Sequence, residues 1–279
     1  MIKLSRERHK TAIPAGLRGI KRKEKELLLL KGKRDATLVF DSALWKPAKK
    51  QLKKETHNKC AYCEANTAVV AHGDVEHFRP KTIYWWLAYS YENYLFSCQI
   101  CNQIYKSDNF PISGVLLPAP VFDPQADDNA LNLLAGSLAP DPFQVNDGLP
   151  AAQFLQQMNL EKALLVNPYF FDPADFFKWE EDEVLKEVRL GPLDNTPETI
   201  SVAQAAIDFL GINREELRNL RWKEYEKAKI FKDVLIDGNV SAALLQNVKD
   251  AIKDMMADDA SFAGMIRYYV NKVWRLDLD

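Results

Sequence analysis

Long apolar stretches are missing from this sequence of 279 residues. No run approaches the roughly eighteen consecutive apolar residues by which a membrane-spanning helix is recognised. The first ten residues, MIKLSRERHK, carry charges where a secretory signal would need an apolar stretch. Both absences argue against a membrane or exported protein, so we expect a soluble protein of the cytoplasm.

Cysteine is also scarce, and its four residues are grouped. They form two Cys-x-x-Cys pairs, Cys60 with Cys63 and Cys98 with Cys101, which are separated by 34 residues. In a cytoplasmic chain such pairs indicate a metal site and not disulfides. Four thiolates can surround one tetrahedral zinc ion at about 2.3 Å and leave no open position. We therefore predict a structural zinc knot. A redox dithiol is the alternative, but the thioredoxin-like βαβ pattern that would accompany it is absent.

Charge is distributed unevenly, although the net value is only −2. Residues 1–59 hold 18 Lys and Arg against 6 Asp and Glu, whereas the remainder holds 19 against 33. A segment of charge +12 attracts nucleic acid phosphates by counterion release, whatever the base sequence. The N-terminal fifth is thus the part expected to face a polyanion, although any single lysine could simply lie on a solvated helix face.

The pattern of apolar residues predicts an α+β chain that is predominantly helical. With 47% hydrophobic residues the chain can bury a core, but it is long for one domain. Basic helices are indicated near 16–34 and 43–57, and residues 35–41 (DATLVFD) could be a strand or a loop. We predict four regions: a basic helical region at 1–58, a module built around a site at 59–111, an irregular or mixed connection at 112–195, and a helical region at 196–279.

Capping signals place the helices of the last region. Thr196 followed by Pro197 is typical of a helix start, and Gly211 is typical of the residue after a helix end. Asn213 should cap the next helix, with Glu216 as its capping-box partner. Two further helices are expected at about 241–256 and 260–274.

A set of polar residues between and after the cysteine pairs could support hydrolysis of a phosphodiester bond. That reaction needs a base to deprotonate water and a cation beside the phosphate. His77 would be the base, and Glu76 with Asn102 would supply hard oxygen ligands suited to Mg²⁺ or Mn²⁺. A structural histidine and polar residues that brace a turn are the alternatives. Asp74 is a weaker alternative ligand.

The segments CAYCE, VEHFRPK and WLAYSYENYLFSCQICNQIYK resemble the HNH, or ββα-metal, endonuclease pattern. The resemblance implies a ββα-metal module stapled by the zinc knot. It also implies that Glu76 binds the metal, His77 activates water, Asn93 fixes the hairpin that holds His77, and Asn102 is a second metal ligand. Three features depart from the usual pattern: Tyr94 replaces a leucine, Glu76 stands where Asp is more frequent, and the loop between them differs. The loop at 79–91 is longer and more aromatic.

Other side chains of this region have two possible roles each, one in function and one in structure. Arg79, Lys81 and Lys106 could contact phosphate near the charged transition state, or be solvated or paired with an acid. The aromatic residues of 84–91 could stack on unpaired bases, but core or partner interface is the more frequent role of such clusters. The remaining histidines lack a partnered context. His72 is near enough to the site to matter, unlike His9 and His57.

A looser resemblance covers most of the chain. The basic start, the WWLAY insert, LLVNPYF at 164–170 and FLGINREELRNLR at 209–221 resemble HNH nucleases that work with an ATPase in bacterial anti-phage systems of the Septu type. This implies an ATPase partner, a defence role and DNA as the favoured substrate. A competing hypothesis is an adaptor that binds nucleic acid or protein through the zinc knot and has no catalysis.

Overall fold

The computed structural model describes residues 1–67, 73–143 and 151–279, together with all their side chains except those of 151 and 152. His72 lies outside the described residues. About 48% of the chain is helical and 9% is in strands, which confirms the expectation of a mainly helical chain with small sheets. The division into four regions stays a prediction.

The basic N-terminal region contains two helices, α1 at Gly19–Arg34 and α2 at Lys49–Glu55. Residues 36–41 between them form a loop, which resolves the open question about DATLVFD. The second predicted helix is shorter than expected because 3-10 turns at Ser42–Leu44 and Lys46–Ala48 precede it. Pro47 cannot donate a backbone hydrogen bond, so regular α-helical bonding begins only after it.

The residues between the cysteine pairs form an antiparallel hairpin. Strand β1 at Asp74–His77 pairs with β2 at Tyr94–Ser97, with His77 opposite Tyr94 and Asp74 opposite Ser97. A short helix of π type follows at Ile100–Lys106 and carries the last cysteine. Helix α2 packs against both strands. The order strand, strand, helix, together with the loop inside the hairpin, thus holds the predicted site residues apart from Cys60 and Cys63, which precede β1.

The aromatic loop between β1 and β2 is part of the core. Its residues pack with parts of α1 and of the connecting region in one buried cluster that includes Tyr84, Trp85, Trp86 and Tyr89. Tyr91 belongs to a second cluster with Leu52 of α2. Base stacking is therefore not available to these side chains in this structure, and the core interpretation is correct for them.

The connecting region has more regular structure than the sequence indicated. It contains helices α3 at Asp128–Leu134 and α4 at Ala151–Asn159, then a hairpin of β3 at Phe177–Asp182 and β4 at Glu187–Pro192. The hairpin buries Phe177 and Trp179 from β3 and Val188 and Leu190 from β4. This alternation is the signature of a half-buried hairpin.

The C-terminal region consists of α5 at Pro197–Leu210, α6 at Glu215–Asp237, α7 at Ala242–Met256 and α8 at Ala263–Tyr268, followed by a π-type helix at Tyr269–Trp274. The predicted ends of α5 are confirmed. Thr196 accepts a hydrogen bond from the Thr199 amide, and Gly211 adopts φ +57°. Among the described residues, none of the helices is long and apolar enough to cross a membrane.

The predicted capping of α6 by Asn213 is wrong. Arg214 is the capping residue, and it makes no side-chain cap hydrogen bond. The Asn213 amide group instead holds β4, since its Oδ1 accepts from the Leu190 amide and its Nδ2 donates to the Leu190 carbonyl, both at 2.8 Å. The Asn213 side chain thus contacts the unpredicted hairpin and does not cap the helix. Glu216 therefore has no capping-box partner in Asn213.

Candidate active site

The four cysteines converge on one point in the core. All four are buried, and their sulfur atoms lie within 4.8 Å of one another. The Cys63 and Cys98 sulfurs are 4.0 Å apart, about twice the length of a disulfide bond at roughly 2.05 Å. Tetrahedral coordination at about 2.3 Å places sulfur atoms about 3.8 Å apart. The group therefore has the geometry to hold a zinc ion.

The backbone around each cysteine pair forms the tight turn that such a site needs. The Glu64 amide donates to the Cys60 carbonyl at 3.0 Å, and Glu64 has φ +60°. In the second pair the Cys101 amide donates to the Cys98 sulfur at 3.4 Å. Amide hydrogen bonds of this kind favour the thiolate form of a cysteine. Both turns therefore orient their sulfurs for metal binding.

Two arginines of the C-terminal region lie near the cysteine cluster. Arg214 approaches the sulfur of Cys101 with Nη1 at 3.6 Å and that of Cys63 with Nη2 at 3.9 Å. Arg221 is fully buried, with its guanidinium 4.7 Å from the centre of the Trp179 ring. Hydrogen bonds from the other three thiols, reinforced by the Arg214 charge, lower the pKa of Cys63. Four thiolates on one zinc ion would carry a net charge of −2, and the positive charge of Arg214 beside two of the sulfurs would offset part of it.

His77 lies at the end of β1 in a closed aromatic setting. Its ring is 4.9 Å from the ring of Trp45 and 5.1 Å from that of Tyr94, edge-on in both cases. Only 7% of the residue is exposed, and burial lowers the pKa of His77 to about 3, since the charged form would be desolvated. The imidazole is therefore neutral at physiological pH.

The hydrogen bond of His77 assigns its tautomer. Nε2 lies 2.9 Å from the Ala88 carbonyl oxygen, and a carbonyl can only accept a hydrogen bond. Nε2 therefore carries the proton, which leaves the lone pair on Nδ1. The carbonyl that holds the ring belongs to the aromatic loop, so the packing of this loop determines which nitrogen could accept a proton from water.

The side chain of Glu76 contacts residues that the ring of His77 does not contact. Its Oε1 forms an ion pair with Nζ of Lys106 at 2.6 Å, and the Tyr62 hydroxyl lies 3.5 Å from the same oxygen. Burial raises the pKa of Glu76, while the Lys106 charge opposes that rise. Lys106 also donates to the His77 carbonyl at 3.0 Å. One lysine thus joins the carboxylate side of β1 to the backbone of the histidine.

The other predicted metal ligands, Asn102 and Asp74, each contact other groups in this structure. Asn102 is partly exposed in the π-type helix, where its amide donates to the Cys98 carbonyl. Asp74 accepts a hydrogen bond from Gln103 at 2.8 Å. Among the described residues, the four cysteines are the only group of three or more His, Cys, Asp or Glu placed to share an ion. A second metal on Glu76 and Asn102 stays a prediction.

Asn93 forms hydrogen bonds with both ends of the loop between β1 and β2, which supplies the Ala88 carbonyl that His77 contacts. Its Oδ1 accepts from the Arg79 amide at 2.8 Å, and its Nδ2 donates to the Arg79 carbonyl at 2.9 Å and the Leu87 carbonyl at 3.4 Å. The Leu87 contact adjoins Ala88, whose carbonyl orients the imidazole. Asn93 thus holds the loop whose Ala88 carbonyl accepts from His77, and its predicted role in positioning the histidine stays a prediction.

The three predicted phosphate contacts differ in accessibility. Arg79 is buried and paired with Glu161 at 2.6 Å, and Lys106 is buried against Glu76. Lys81 is partly exposed, with Nζ 5.8 Å from the centre of the Trp45 ring. Of the three, Lys81 is therefore the side chain that solvent or substrate reaches in this structure.

Comparison with known proteins finds one informative similarity. Over 218 residues the chain is 24% identical to Septu protein PtuB of Bacillus mycoides strain KBAB4, a match that covers 74% of the chain. The chain spans about 60% of the length of that relative. No family model matches the sequence, and no solved structure matches it. The similarity supports a relationship to the Septu proteins.

Three residues with a direct role around the site went unnoticed in the sequence. Trp45 contacts His77 from a different part of the chain, and Arg214, just before α6, contacts two cysteine sulfurs. Arg221 of α6 is buried within electrostatic range of Cys63 and Cys101. The two arginines are seven residues apart, but Arg214 precedes the helix with ψ 152°, so their helical spacing was only a weak signal. Their target could not be read from it, because the cysteines lie more than a hundred residues earlier.

Proposed function

We propose that the protein is a metal-dependent HNH-type endonuclease that hydrolyses phosphodiester bonds of nucleic acid, DNA in particular. The observation that carries the proposal is the state of His77: a buried neutral imidazole at the end of a hairpin strand, with its Nε2 proton committed to a backbone carbonyl. This arrangement leaves one nitrogen, Nδ1, to act as a base.

In this proposal Nδ1 of His77 takes the proton of the attacking water. The Ala88 carbonyl keeps the ring in one tautomer and stabilises the imidazolium that forms. Asn93 holds the loop that supplies this carbonyl, and is therefore a positioning residue. The ring starts neutral, so Nδ1 is free to accept a proton, but a pKa of about 3 makes it a weak base. In this proposal the negative charge of the bound phosphate raises that pKa, because it stabilises the imidazolium.

The donor chemistry of Glu76 and Asn102 fits a hard divalent cation, Mg²⁺ or Mn²⁺. The Glu76 carboxylate already attracts a cation, the Lys106 ammonium at 2.6 Å. When bound, the metal would supply positive charge beside the phosphate. Lys81, the accessible one of the three predicted phosphate contacts, adds positive charge beside Glu76 and His77, which favours an anionic substrate there. The cysteine knot, closed by four protein ligands, would hold zinc for structure alone.

The similarity to Septu protein PtuB supports a biological setting. We propose that the chain is the nuclease component of an anti-phage defence system and works with an ATPase partner. The basic N-terminal region would face nucleic acid, while the acidic remainder is available for partner contacts. Because the chain spans only part of the relative's length, the partner and the defence role are proposals about this chain and need their own tests.

The proposed activity is tested by incubating supercoiled plasmid with the protein and Mg²⁺ or Mn²⁺, with and without the ATPase encoded beside its gene, if one is present. We expect nicked or linear product, and its loss when the divalent ion is chelated while zinc stays bound. The alternative is an adaptor without catalysis, which the covering of His77 by Trp45 and the engagement of Glu76 by Lys106 favour. DNA binding with no cleavage under any of these conditions would support the adaptor.

A further inference from the structure

A row of lysines follows the outer side of α2 and the 3-10 turn before it. The row consists of Lys46, Lys49, Lys50 and Lys53, at helical spacings of three, four and seven residues. Such spacing places side chains on one face. The opposite face buries Ala48, Leu52 and Glu55. The lysines are therefore directed to solvent: Lys46 and Lys50 are exposed, and the other two are partly exposed.

The lysine row is not neutralised by acids within the described part of the chain, where none of its four members forms an ion pair. The contrast with α1 is clear. There Arg22 pairs with Glu26, and both Lys31 and Arg34 pair with Asp128. Even the next lysine of α2, Lys54, pairs with Glu7 at 2.8 Å. The lysine row therefore groups four cations without an ion pair on one short surface, whereas many of the other cations of the N-terminal region are paired.

The lysine row adjoins the proposed catalytic hairpin. Helix α2 packs against β1 and β2, and Leu52 shares a buried cluster with Tyr94 and Phe96 of β2. Trp45, the residue before the first lysine of the row, contacts the ring of His77 at 4.9 Å. A polyanion lying on the row therefore reaches the hairpin without crossing another element.

We propose that the lysine row is a phosphate-binding track that holds the backbone of duplex DNA beside the hairpin. The inference rests on the nuclease function proposed above and names the surface that presents the substrate. Seven helical residues extend over about 10 Å, and one DNA strand places a phosphate about every 3.4 Å along the axis. The row thus matches about three successive phosphates. Contacts of this kind position the duplex and do not read its sequence.

The test measures binding separately from cleavage, in a His77→Ala background. A labelled duplex of mixed sequence is titrated with protein between 50 and 200 mM salt. The variant K46Q/K49Q/K50Q/K53Q is compared with K162Q/K186Q/K223Q/K272Q, which removes the same charge from exposed lysines elsewhere. Each phosphate contact contributes about 0.9 to the slope of log affinity against log salt. The row variant should lose about 3 from the slope and bind at least tenfold more weakly, while the control changes less than twofold.

Three outcomes overturn the track: equal slopes for the row variant and its parent, an equal loss in the control variant, or no duplex binding by the parent at these salt concentrations. If the quadruple variant is misfolded by circular dichroism, the single variants K46Q and K50Q at exposed positions replace it, each with an expected slope change of about 0.9. Plasmid cleavage by the wild type together with an unchanged slope would refute the track and leave the nuclease function standing. Lysine-dependent binding of the duplex without plasmid cleavage would support the track and count against the nuclease function.

Discussion

At the scale of single residues, the polar side chains around the hairpin divide into those that could react and those that hold them. His77 has a defined tautomer, and Asn93 and the Ala88 carbonyl define its surroundings. The sequence predicted roles for His77 and Asn93 because the resemblance assigns them by position, and these roles stay predictions. It could not identify Trp45 or Arg214, whose roles depend on contacts with distant parts of the chain.

Asn93→Ala removes three hydrogen bonds of a buried side chain and leaves the Arg79 amide without its acceptor. We expect the free energy of unfolding to fall by about 2 to 3 kcal/mol, since each unpaired buried polar group costs about 1 to 3 kcal/mol. Urea denaturation measures the loss. Cleavage by the folded variant should fall while duplex binding persists. A fully active variant would remove Asn93 from its positioning role.

Arg214→Met removes the guanidinium next to two cysteine sulfurs. We expect zinc affinity to fall about tenfold or more, because residues that support metal ligands contribute about 10- to 100-fold. Competition with a chromophoric chelator measures the affinity. Lys223→Met, at an exposed position of the same helix, is the matched control and should bind zinc as the wild type does. Equal affinities of both variants would show that the arginine does not support the site.

At the scale of elements, the sequence predicted helices better than strands. The ends of α5 followed from Thr196 and Gly211 because both caps act locally. The β3–β4 hairpin was missed because charged residues on its exposed face obscure the short apolar alternation. Asn213 was misassigned because the local rule for capping competes with a contact to that same hairpin. Local sequence patterns thus predicted the helix ends that depend on local contacts. They gave the wrong role for Asn213, whose side chain contacts a second element.

Gly211 links α5 to the π-type helix that carries Cys101. A Cβ atom at this position would lie 2.4 Å from the Tyr105 ring, and the backbone has φ +57°. Gly211→Ala should therefore lower the free energy of unfolding by more than the roughly 1 to 2 kcal/mol of left-handed strain alone. Gly238→Ala is the control, with φ +63° and no atom within 4 Å of its Cβ. Chemical denaturation should show the larger loss for Gly211→Ala, and equal losses would contradict the close packing.

At the scale of the whole molecule, the four-cysteine cluster joins the hairpin unit to the C-terminal helices. The four cysteines share one buried cluster with residues of β3, β4 and α5 to α8. The sequence predicted the knot and the mainly helical fold, since both have short-range signatures. It did not predict that Arg214, just before α6, would place positive charge beside two of the sulfurs. The relation to the Septu proteins rests on 24% identity over 74% of the chain.

Removal of zinc should therefore disturb the packing of the C-terminal helices as well as the hairpin. We expect about one zinc per chain by elemental analysis, and a loss of near-ultraviolet circular dichroism from the C-terminal aromatic residues when a strong chelator extracts it, because structural zinc contributes folding free energy. Replacing Cys63 by Ser should have the same effect. A zinc-free protein with an unchanged near-ultraviolet spectrum would show that the helices fold without the knot.

The central claim is that His77 is the base of a phosphodiester hydrolase. Its most direct test is the single-turnover rate of duplex cleavage by His77→Ala relative to wild type, with zinc content and duplex affinity shown to be equal. His9→Ala, at an exposed position, serves as the control. Loss of a general base lowers the rate by about 10² to 10⁴, so we expect a decrease in that range for His77→Ala and none for His9→Ala. Equal rates for wild type and His77→Ala would contradict the account.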